Sequence, residues 1–344
     1  MATPAATPSR SRRLRRSNLG APGYARRRCG KGFVYRDEDG ERITDAEVIG
    51  RITSLVIPPA WKDVWISPDP FGHIQATGID ARGRKQYLYH PRWRERRDQE
   101  KFDDMVAFAR SLPALRSVVD HDIALGDMSR EQVLACAARL LDRGFFRIGS
   151  EEYAVTNETY GLATMLKSHV TLNGETIRFD YTAKESKRRV QAIVDPEVAE
   201  IVGTLKRRRG GGRELLAYRR DGRWCDVRSP DINAYLKAAT GRDISAKDFR
   251  TWGATVLAAV GLAVTQPRRL SASGRKRAIV RAVKEVAFYL GNTPTVARNS
   301  YIDPRVFDRY RDGQTIRLEL VGADPAQTAI QGPVEEAVLD LLED

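Results

Sequence analysis

The sequence predicts an α+β protein in which a small, β-sheet-rich N-terminal domain precedes a larger, mainly α-helical domain that contains a β-hairpin. The chain of 344 residues is long enough for two domains with separate cores. Short β-like segments dominate up to Tyr89, whereas capped segments with helical periodicity dominate from Ser129 onwards. We expect a basic, disordered tail, a β-rich domain, a mainly helical domain and an acidic C-terminal stretch at residues 1–30, 31–95, 96–330 and 331–344.

The β-rich domain is predicted from four short segments separated by turn residues. The last of them alternates tyrosine with other residues and follows the basic turn Arg82-Gly83-Arg84. Tyrosines and cations on one strand face can stack and pair along a nucleic-acid backbone, although they are also ordinary strand residues. The four predicted strands contain residues 33–35, 64–66, 73–77 and 86–89.

Four helices are predicted in the second domain from caps and apolar periodicity. Ser129 begins the first and Gly144 ends it, while Ser229-Pro230 begins the second. Ser245 caps the third, and the fourth covers residues 278–290 before Gly291.

A β-hairpin interrupts these helices at residues 169–181. Its centre is Asn173-Gly174, a pair that suits a type I′ turn. A second turn follows at residues 183–186. This turn places Lys184 at an exposed tip, from which a long cation can reach a ligand.

The net charge of +13 and the pI near 9.8 indicate a polyanionic partner, most commonly nucleic acid. Two basic runs, at residues 12–16 and 206–209, are expected to neutralise phosphates. An anionic membrane surface is the alternative, but neither a basic amphipathic helix nor a lipidation motif is recognisable. The longest nearly apolar run, residues 254–264, is too short to span a bilayer.

The sequence carries no recognisable motif for a metal or a nucleotide cofactor. Its cysteines, Cys29, Cys136 and Cys225, are isolated, and the four histidines add no zinc-type spacing. No Gly-rich loop of the ATP-binding type is present. We therefore expect no cofactor, and a reducing cytoplasm suits the free thiols. The beginning of the chain lacks the apolar run of a signal peptide.

Three stretches, taken together, closely resemble the catalytic domain of poxvirus-type and bacterial type IB DNA topoisomerases, the eukaryotic-like topoisomerase I family. Residues 146–170 read FRIGSEEYAVTNETYGLATMLKSHV, residues 247–253 read KDFRTWG, and residues 290–302 read LGNTPTVARNSYI. The resemblance covers about residues 30–315 and includes GRKQYLYH in the N-terminal domain. Each stretch alone is weak evidence, but their order around the Lys184 hairpin makes the match specific.

The resemblance implies an isomerase that relaxes supercoiled duplex DNA. Members cleave one strand through a 3′-phosphotyrosyl intermediate, allow strand rotation and reseal the strand without ATP or metal. The implied architecture is a C-shaped clamp around the duplex. We expect a monomer in the cytoplasm, associated with the nucleoid.

The resemblance also implies a catalytic set. Its two arginines, lysine and tyrosine correspond to Arg147, Arg250, Lys184 and Tyr301, while Asn292 stands where the family has histidine. The DNA contacts implied are those of Gln75, Arg82, Arg84, Lys85, Tyr87, Tyr89, Tyr153 and Lys247.

The chemistry of phosphodiester transfer explains these residue types. Negative charge builds on the nonbridging oxygens, and arginine offers them permanently charged, forked donors. A tyrosine with a pKa of about 10 needs nearby cations to favour its phenolate. Lys184 is the candidate general acid for the leaving 5′-oxygen. An amide at Asn292 can donate a hydrogen bond as histidine does, so we expect a lower rate rather than inactivity.

Two alternatives remain at this point. A tyrosine recombinase shares the catalytic plan, but it usually has histidine where Lys247 stands and a helical rather than β-rich N-terminal domain. A noncatalytic basic DNA-binding protein is supported by charge alone. Relaxation of supercoiled plasmid without metal or ATP would distinguish these possibilities.

Overall fold

The computed structural model describes residues 13–317, 319 and 330–343, except for the side chain of Tyr153. It confirms the α+β fold class: an antiparallel sheet lies in the N-terminal part and a mainly helical region follows. The chain divides into two compact units, one up to Lys101 and one from Phe102 onwards.

The first unit is built on a five-stranded antiparallel sheet in the order β2-β1-β3-β4-β5. Ile52, on the helix α1 (Ala46–Ser54), packs with Val64, Ile66 and Ala76 of the sheet to form its core. The last strand lies at an edge, and its alternating burial leaves Lys85, Tyr87 and Tyr89 exposed. The strands are β1 (Tyr24–Cys29), β2 (Gly32–Arg36), β3 (Lys62–Ile66), β4 (Ile74–Ile79) and β5 (Lys85–Tyr89).

The prediction of a disordered tail over residues 1–30 is wrong for residues 13–30, while residues 1–12 lie outside the described part. The backbone N–H of Arg15 donates to the carbonyl of Phe71 at 2.9 Å, and residues 24–29 form β1 between two partner strands. The basic composition suggested disorder, but Arg26 contributes to the fold of this unit. Its guanidinium donates to the carbonyls of Ile57, Pro58 and Trp61.

The second unit contains most of the helices and one large core. The α-helices after α1 are α2 (Pro91–Ile123), α3 (Arg130–Gly144), α4 (Glu151–Asn157), α5 (Pro196–Arg207), α6 (Ser229–Thr240), α7 (Ala246–Ala263), α8 (Ala272–Leu290), α9 (Pro294–Ser300), α10 (Pro304–Arg311) and α11 (Pro333–Glu343). None of the helices in the described ranges is long and apolar enough to cross a membrane.

The predicted helices exist, with differences at their ends. Ser129 caps α3 through its side chain and Gly241 ends α6 in the left-handed conformation. The helix α8 begins six residues earlier than predicted, because Ser271 accepts a hydrogen bond from the Gly274 N–H and so provides a cap. At the end of α3, Phe145 rather than Gly144 takes the left-handed conformation, with φ of 52°.

The predicted hairpin is part of a three-stranded antiparallel sheet formed by β6 (Val170–Asn173), β7 (Thr176–Ala183) and β8 (Lys187–Val194). The type I′ assignment of its first turn is wrong. Asn173 pairs with Thr176, so Gly174 and Glu175 are the central residues, and only Gly174 has positive φ. The second turn confirms that Lys184 is exposed at the tip between β7 and β8. A further hairpin, β9 (Ala217–Arg220) and β10 (Arg223–Asp226), was not predicted.

The acidic C-terminal stretch belongs to the core of the second unit. Val334, Val338 and Leu342 on one face of α11 are buried. Glu335 is also buried, and it accepts hydrogen bonds from Trp252 of α7 and Arg116 of α2. This helix therefore braces the helix that carries Arg250.

Candidate active site

Four of the five residues predicted to be catalytic meet at the C-terminal end of α8. They are Arg147, Arg250, Asn292 and Tyr301, which come from a loop, from α7 and from the segments after α8 and α9. The fifth, Lys184, is on the hairpin turn between β7 and β8. Among the described residues, its ammonium group has no hydrogen-bond or ion-pair partner.

The backbone at the end of α8 explains the position of Asn292. Gly291 has φ of 63°, a left-handed conformation that glycine adopts without strain. The N–H of Asn292 then donates to the carbonyl of Ala287 at 2.9 Å, and the N–H of Gly291 donates to that of Phe288 at 3.1 Å. This pair of bonds is a Schellman motif, which ends the helix and fixes the direction of the next residue.

The side chain of Asn292 is held from one side only. Its Oδ1 accepts a hydrogen bond from Nη2 of Arg147, which also donates to the carbonyl of Gly291 at 3.2 Å. Its Nδ2 is buried and has no hydrogen-bond partner within the described residues. The amide therefore presents a donor that a ligand oxygen can satisfy.

Arg250 is buried, with a relative exposure of 3%, in the second turn of α7. It donates to the carbonyl of Leu290 at 2.9 Å and to that of Phe145. Leu290 is the last residue of α8, and Phe145 is the residue that follows α3. Burial and the neighbouring charge of Arg147 lower the pKa of Arg250. An arginine so placed still carries its charge at neutral pH.

Tyr301 follows the short helix α9 and is fixed by its backbone. Its N–H donates to the carbonyl of Ala297 at 3.1 Å. The guanidinium carbon of Arg250 lies 5.3 Å from the centre of its ring. Burial alone would raise the pKa of Tyr301, but the charge of Arg250 and its hydrogen bond to the phenol, with the charges of Arg147 and Lys247, outweigh it and bring the pKa below its usual value. These charges favour the phenolate, which is the nucleophilic form.

Arg189 on β8 is a residue of this site that the sequence analysis missed. Its two terminal nitrogens donate to the carbonyls of Phe288, at 2.9 Å, and of Tyr289. Four consecutive carbonyls at the end of α8, from Phe288 to Gly291, are thus each bound by one of three arginines. No sequence motif predicts this contact, because about a hundred residues separate Arg189 from its acceptors.

The chemistry of the site suits an anion. None of the carboxylates described forms an ion pair with Arg147, Arg189 or Arg250. Three guanidinium groups beside a phenol of lowered pKa can bind a phosphodiester and present a nucleophile to it. No group of three or more metal-ligating side chains occurs in the described ranges.

The residues predicted to bind DNA differ in accessibility. Lys85, Tyr87 and Tyr89 form one exposed face of β5, in which the two rings stack with centroids 6.2 Å apart. Arg82 is also exposed, whereas Arg84 is paired with Asp80 at 2.9 Å. In the second unit, Lys247 is exposed at the start of α7, and the side chain of Tyr153 lies outside the described residues.

Two predictions about DNA contacts need correction. Gln75 is only 3% exposed. Its amide oxygen accepts a hydrogen bond from Arg51 and its amide nitrogen donates to three carbonyls of the loop before β4, so the side chain is not available to DNA. In the basic run 206–209, Lys206 and Arg208 donate to backbone carbonyls instead of facing solvent. Arg207 and Arg209 remain exposed. Local charge density does not reveal which cations the fold uses internally.

Comparisons with known proteins agree with this geometry. Residues 90–319 match the family described as the catalytic core of eukaryotic DNA topoisomerase I, and residues 32–80 match the N-terminal domain of bacterial DNA topoisomerase IB. The chain is similar to DNA topoisomerase 1B of Acanthamoeba polyphaga mimivirus, with 28% identity over 88% of this chain and 92% of the viral one. It is also 20% identical to DNA topoisomerase 1B of vaccinia virus (strain Copenhagen), over 79% of this chain and 82% of that protein.

Proposed function

Because the chain belongs to the type IB DNA topoisomerases, we propose that Tyr301 is the nucleophile with which it cleaves and reseals one strand of duplex DNA. The family implies DNA relaxation by tyrosine transesterification. The observation that supports Tyr301 in particular is its position 5.3 Å from the guanidinium carbon of Arg250, where nearby cations lower its pKa. The match over residues 90–319 favours this function over recombination and over noncatalytic DNA binding.

In the proposed reaction the phenolate oxygen of Tyr301 attacks the scissile phosphorus. A bond forms between that oxygen and phosphorus while the bond from phosphorus to the 5′-oxygen breaks, which leaves a 3′-phosphotyrosyl link and a 5′-hydroxyl. Arg147 and Arg250 donate to the nonbridging oxygens, on which negative charge builds in the transition state. After strand rotation, the 5′-hydroxyl attacks phosphorus and releases the tyrosine.

Lys184 is the proposed general acid that gives a proton to the leaving 5′-oxygen. Its exposed place at the hairpin tip supports this role, because a flexible ammonium group can approach DNA from there. In religation the same amine, now neutral, takes the proton back from the 5′-hydroxyl.

Asn292 is proposed to stabilise the phosphate through its amide N–H. The support is the buried Nδ2, which lacks a partner in the described structure while Oδ1 is held by Arg147. This arrangement gives Asn292 a fixed donor without a charge.

The exposed face of β5 formed by Lys85, Tyr87 and Tyr89 is proposed to contact the DNA backbone, together with Arg82. Lys85 lies 6.0 Å from the centre of the Tyr87 ring, so charge and aromatic surface are adjacent. If Lys85 neutralises one phosphate, Lys85→Ala should reduce the log–log salt slope of DNA binding by about 0.9. An unchanged slope would place this face outside the DNA contact.

We also propose that the protein acts as a monomer. It needs neither ATP nor divalent metal, because its own cations stabilise the phosphoryl transition state. The bacterial type of the N-terminal domain supports a cytoplasmic location, close to the nucleoid. The test is a plasmid gel assay with the purified chain in EDTA and without nucleotide. We expect fully relaxed products from positively and negatively supercoiled plasmid.

The controls of this assay are two phenol-to-phenyl substitutions. Tyr301→Phe should abolish relaxation and keep DNA binding, whereas Tyr289→Phe, at an exposed ring on α8, should relax plasmid like the parent. Relaxation by Tyr301→Phe, or its loss in EDTA, would contradict the proposal.

A further inference from the structure

The third arginine at the end of α8 shares its electrostatic environment with the two proposed catalytic arginines. A Cβ on Gly291 would lie 3.4 Å from Nη1 of Arg189 and 3.6 Å from Nη1 of Arg147. Burial, with the charge of Arg147, lowers the pKa of Arg189. The charge of Arg189 in turn contributes to the lowered pKa of Arg250. These three guanidinium groups therefore form one cluster, the arginine cluster.

No carboxylate in the described part of the chain forms an ion pair with the arginine cluster. Glu185 interacts with it at longer range, since its pKa is lowered by the hydrogen bond from Lys187 and, to a smaller degree, by the charge of Arg147. Within the described residues, the members of the cluster form hydrogen bonds with backbone carbonyls, Asn292, Gln191, Tyr181 and Tyr301 but with no carboxylate. A helix C-terminus supplies only about half a negative charge, against three positive ones. Gathering like charges in a partly buried place costs free energy unless an anion balances them. The cluster is thus suited to a ligand that brings full negative charge.

Arg189 has one N–H donor left for such a ligand. A guanidinium group has five N–H donors. Arg189 uses one on Nε for Gln191, at 3.2 Å, and one on each terminal nitrogen for Phe288 and Tyr289. A fourth bonds the phenol of Tyr181. One N–H group remains, so the side chain can keep these contacts and still donate to a phosphate oxygen.

On the basis of the proposed function, we propose that Arg189 is a further catalytic residue, which binds a nonbridging oxygen of the scissile phosphate beside Arg147 and Arg250. It lies on β8, five residues after Lys184, so one hairpin carries both the proposed general acid and this third cation. Its charge supplements the neutral donor Asn292. The phosphate that binds here is the substrate of the transesterification by Tyr301.

A purely structural role is the alternative, in which Arg189 only satisfies the last carbonyls of α8. The two roles differ in their dependence on the charge of the phosphate. A residue that binds this charge loses its advantage when the phosphate is made neutral, whereas a helix cap acts equally on both substrates.

The experiment measures single-turnover cleavage with excess enzyme on a duplex that contains one mapped cleavage site. One substrate has the ordinary phosphodiester and the other has a methylphosphonate there, which replaces a nonbridging oxygen by methyl and removes the charge. Arg189→Ala should slow cleavage of the phosphodiester by about 10²-fold, as expected for loss of a transition-state donor. Its loss on the methylphosphonate should be much smaller.

Two further variants make the result interpretable. Arg188→Ala is the matched control, because Arg188 is the preceding residue of β8 but pairs with Asp180 through two hydrogen bonds. It should cleave both substrates like the parent. Arg189→Lys keeps the positive charge but lacks the paired N–H donors of the guanidinium group. Its cleavage rate on the phosphodiester should therefore lie between those of the parent and of Arg189→Ala.

Equal fractional losses on both substrates, or no loss on the phosphodiester, would overturn the role of Arg189. If thermal unfolding shows that Arg189→Ala folds poorly, the test uses Arg189→Lys instead, with the same comparison of cleavage on the phosphodiester and on the methylphosphonate. Failure of the parent to form any covalent adduct would instead contradict the proposed function itself.

Discussion

The guanidinium of Arg250 and the phenol of Tyr301 are neighbours, with 5.3 Å between the guanidinium carbon and the ring centre. Arg250 is held there by the carbonyls of Leu290 and Phe145, and Tyr301 by its backbone bond to Ala297. The proposed nucleophile and the proposed phosphate-binding cation are therefore positioned by secondary structure before DNA arrives. Such preorganisation avoids reorganisation during the reaction.

Lys247 should tune the pH dependence of cleavage. Its charge helps to lower the pKa of Tyr301, so Lys247→Met should raise that pKa towards its usual value. We expect the cleavage rate to rise with pH as phenolate forms, and this rise should move to higher pH in the variant. Because Lys247 is exposed and screened, the shift should be less than about one unit and larger at low salt.

The measurement is the pH profile of single-turnover cleavage. Lys237→Met is the control, since this exposed lysine of α6 is paired with Asp243. A profile of Lys247→Met that moves to lower pH, or that moves equally in both variants, would contradict the electrostatic account.

Lys184→Ala should cleave an ordinary strand slowly and recover when the 5′-leaving oxygen is replaced by sulfur. A thiolate leaves without a proton, so the general acid becomes dispensable. Lys187→Ala, on the same hairpin and paired with Glu185, should show neither effect. If the sulfur substrate left Lys184→Ala as slow as before, Lys184 would not be the acid.

Asn292→Ala should lower the single-turnover cleavage rate, on the order of 10²–10³, as for loss of one oxyanion donor. Asn292→Asp should be slower still, because a carboxylate repels the phosphate and pairs with Arg147. Asn292→His should keep or raise the rate, since a ring N–H can replace the amide donor. Asn299→Ala, at an exposed amide of α9, serves as control. Parental rates in Asn292→Ala would rule out a role for the amide.

Glu335→Ala should destabilise the fold by about 1–3 kcal/mol, because the indole N–H of Trp252, now 2.7 Å from the carboxylate, loses its acceptor. Glu336→Ala, at the exposed neighbour, should change the free energy of unfolding by less than about 0.5 kcal/mol. Urea unfolding measures both. Equal stability of the two variants would show that α11 does not brace α7 through Glu335.

Local features of the fold were predictable from the sequence. Ser129 and Ser245 predicted where helices begin, and Gly291 predicted where one ends, because capping depends on neighbouring residues. The alternation in β5 likewise predicted its exposed tyrosines. The strand β1 was missed because its run of arginines hides the strand pattern, although it forms a local hairpin with β2 and also pairs with β3.

The site was predictable only where a resemblance supplied the residues. Arg147, Arg250, Asn292 and Tyr301 were named in this way, and the structure gathers them. Arg189 could not be found, because its partners are carbonyls, which no residue type reveals. The burial of Gln75 and Arg208 was hidden for the same reason.

Mapping the covalent adduct tests the nucleophile most directly. Parent protein denatured during turnover on duplex DNA, followed by nuclease and protease digestion, should yield one nucleotide-linked peptide with the DNA on Tyr301. The nicked strand should carry protein at its 3′ end and a free 5′-hydroxyl, and Tyr301→Phe should give no adduct. Attachment at Tyr289, Tyr310 or another residue, or a link to a 5′-phosphate, would contradict the assignment of Tyr301.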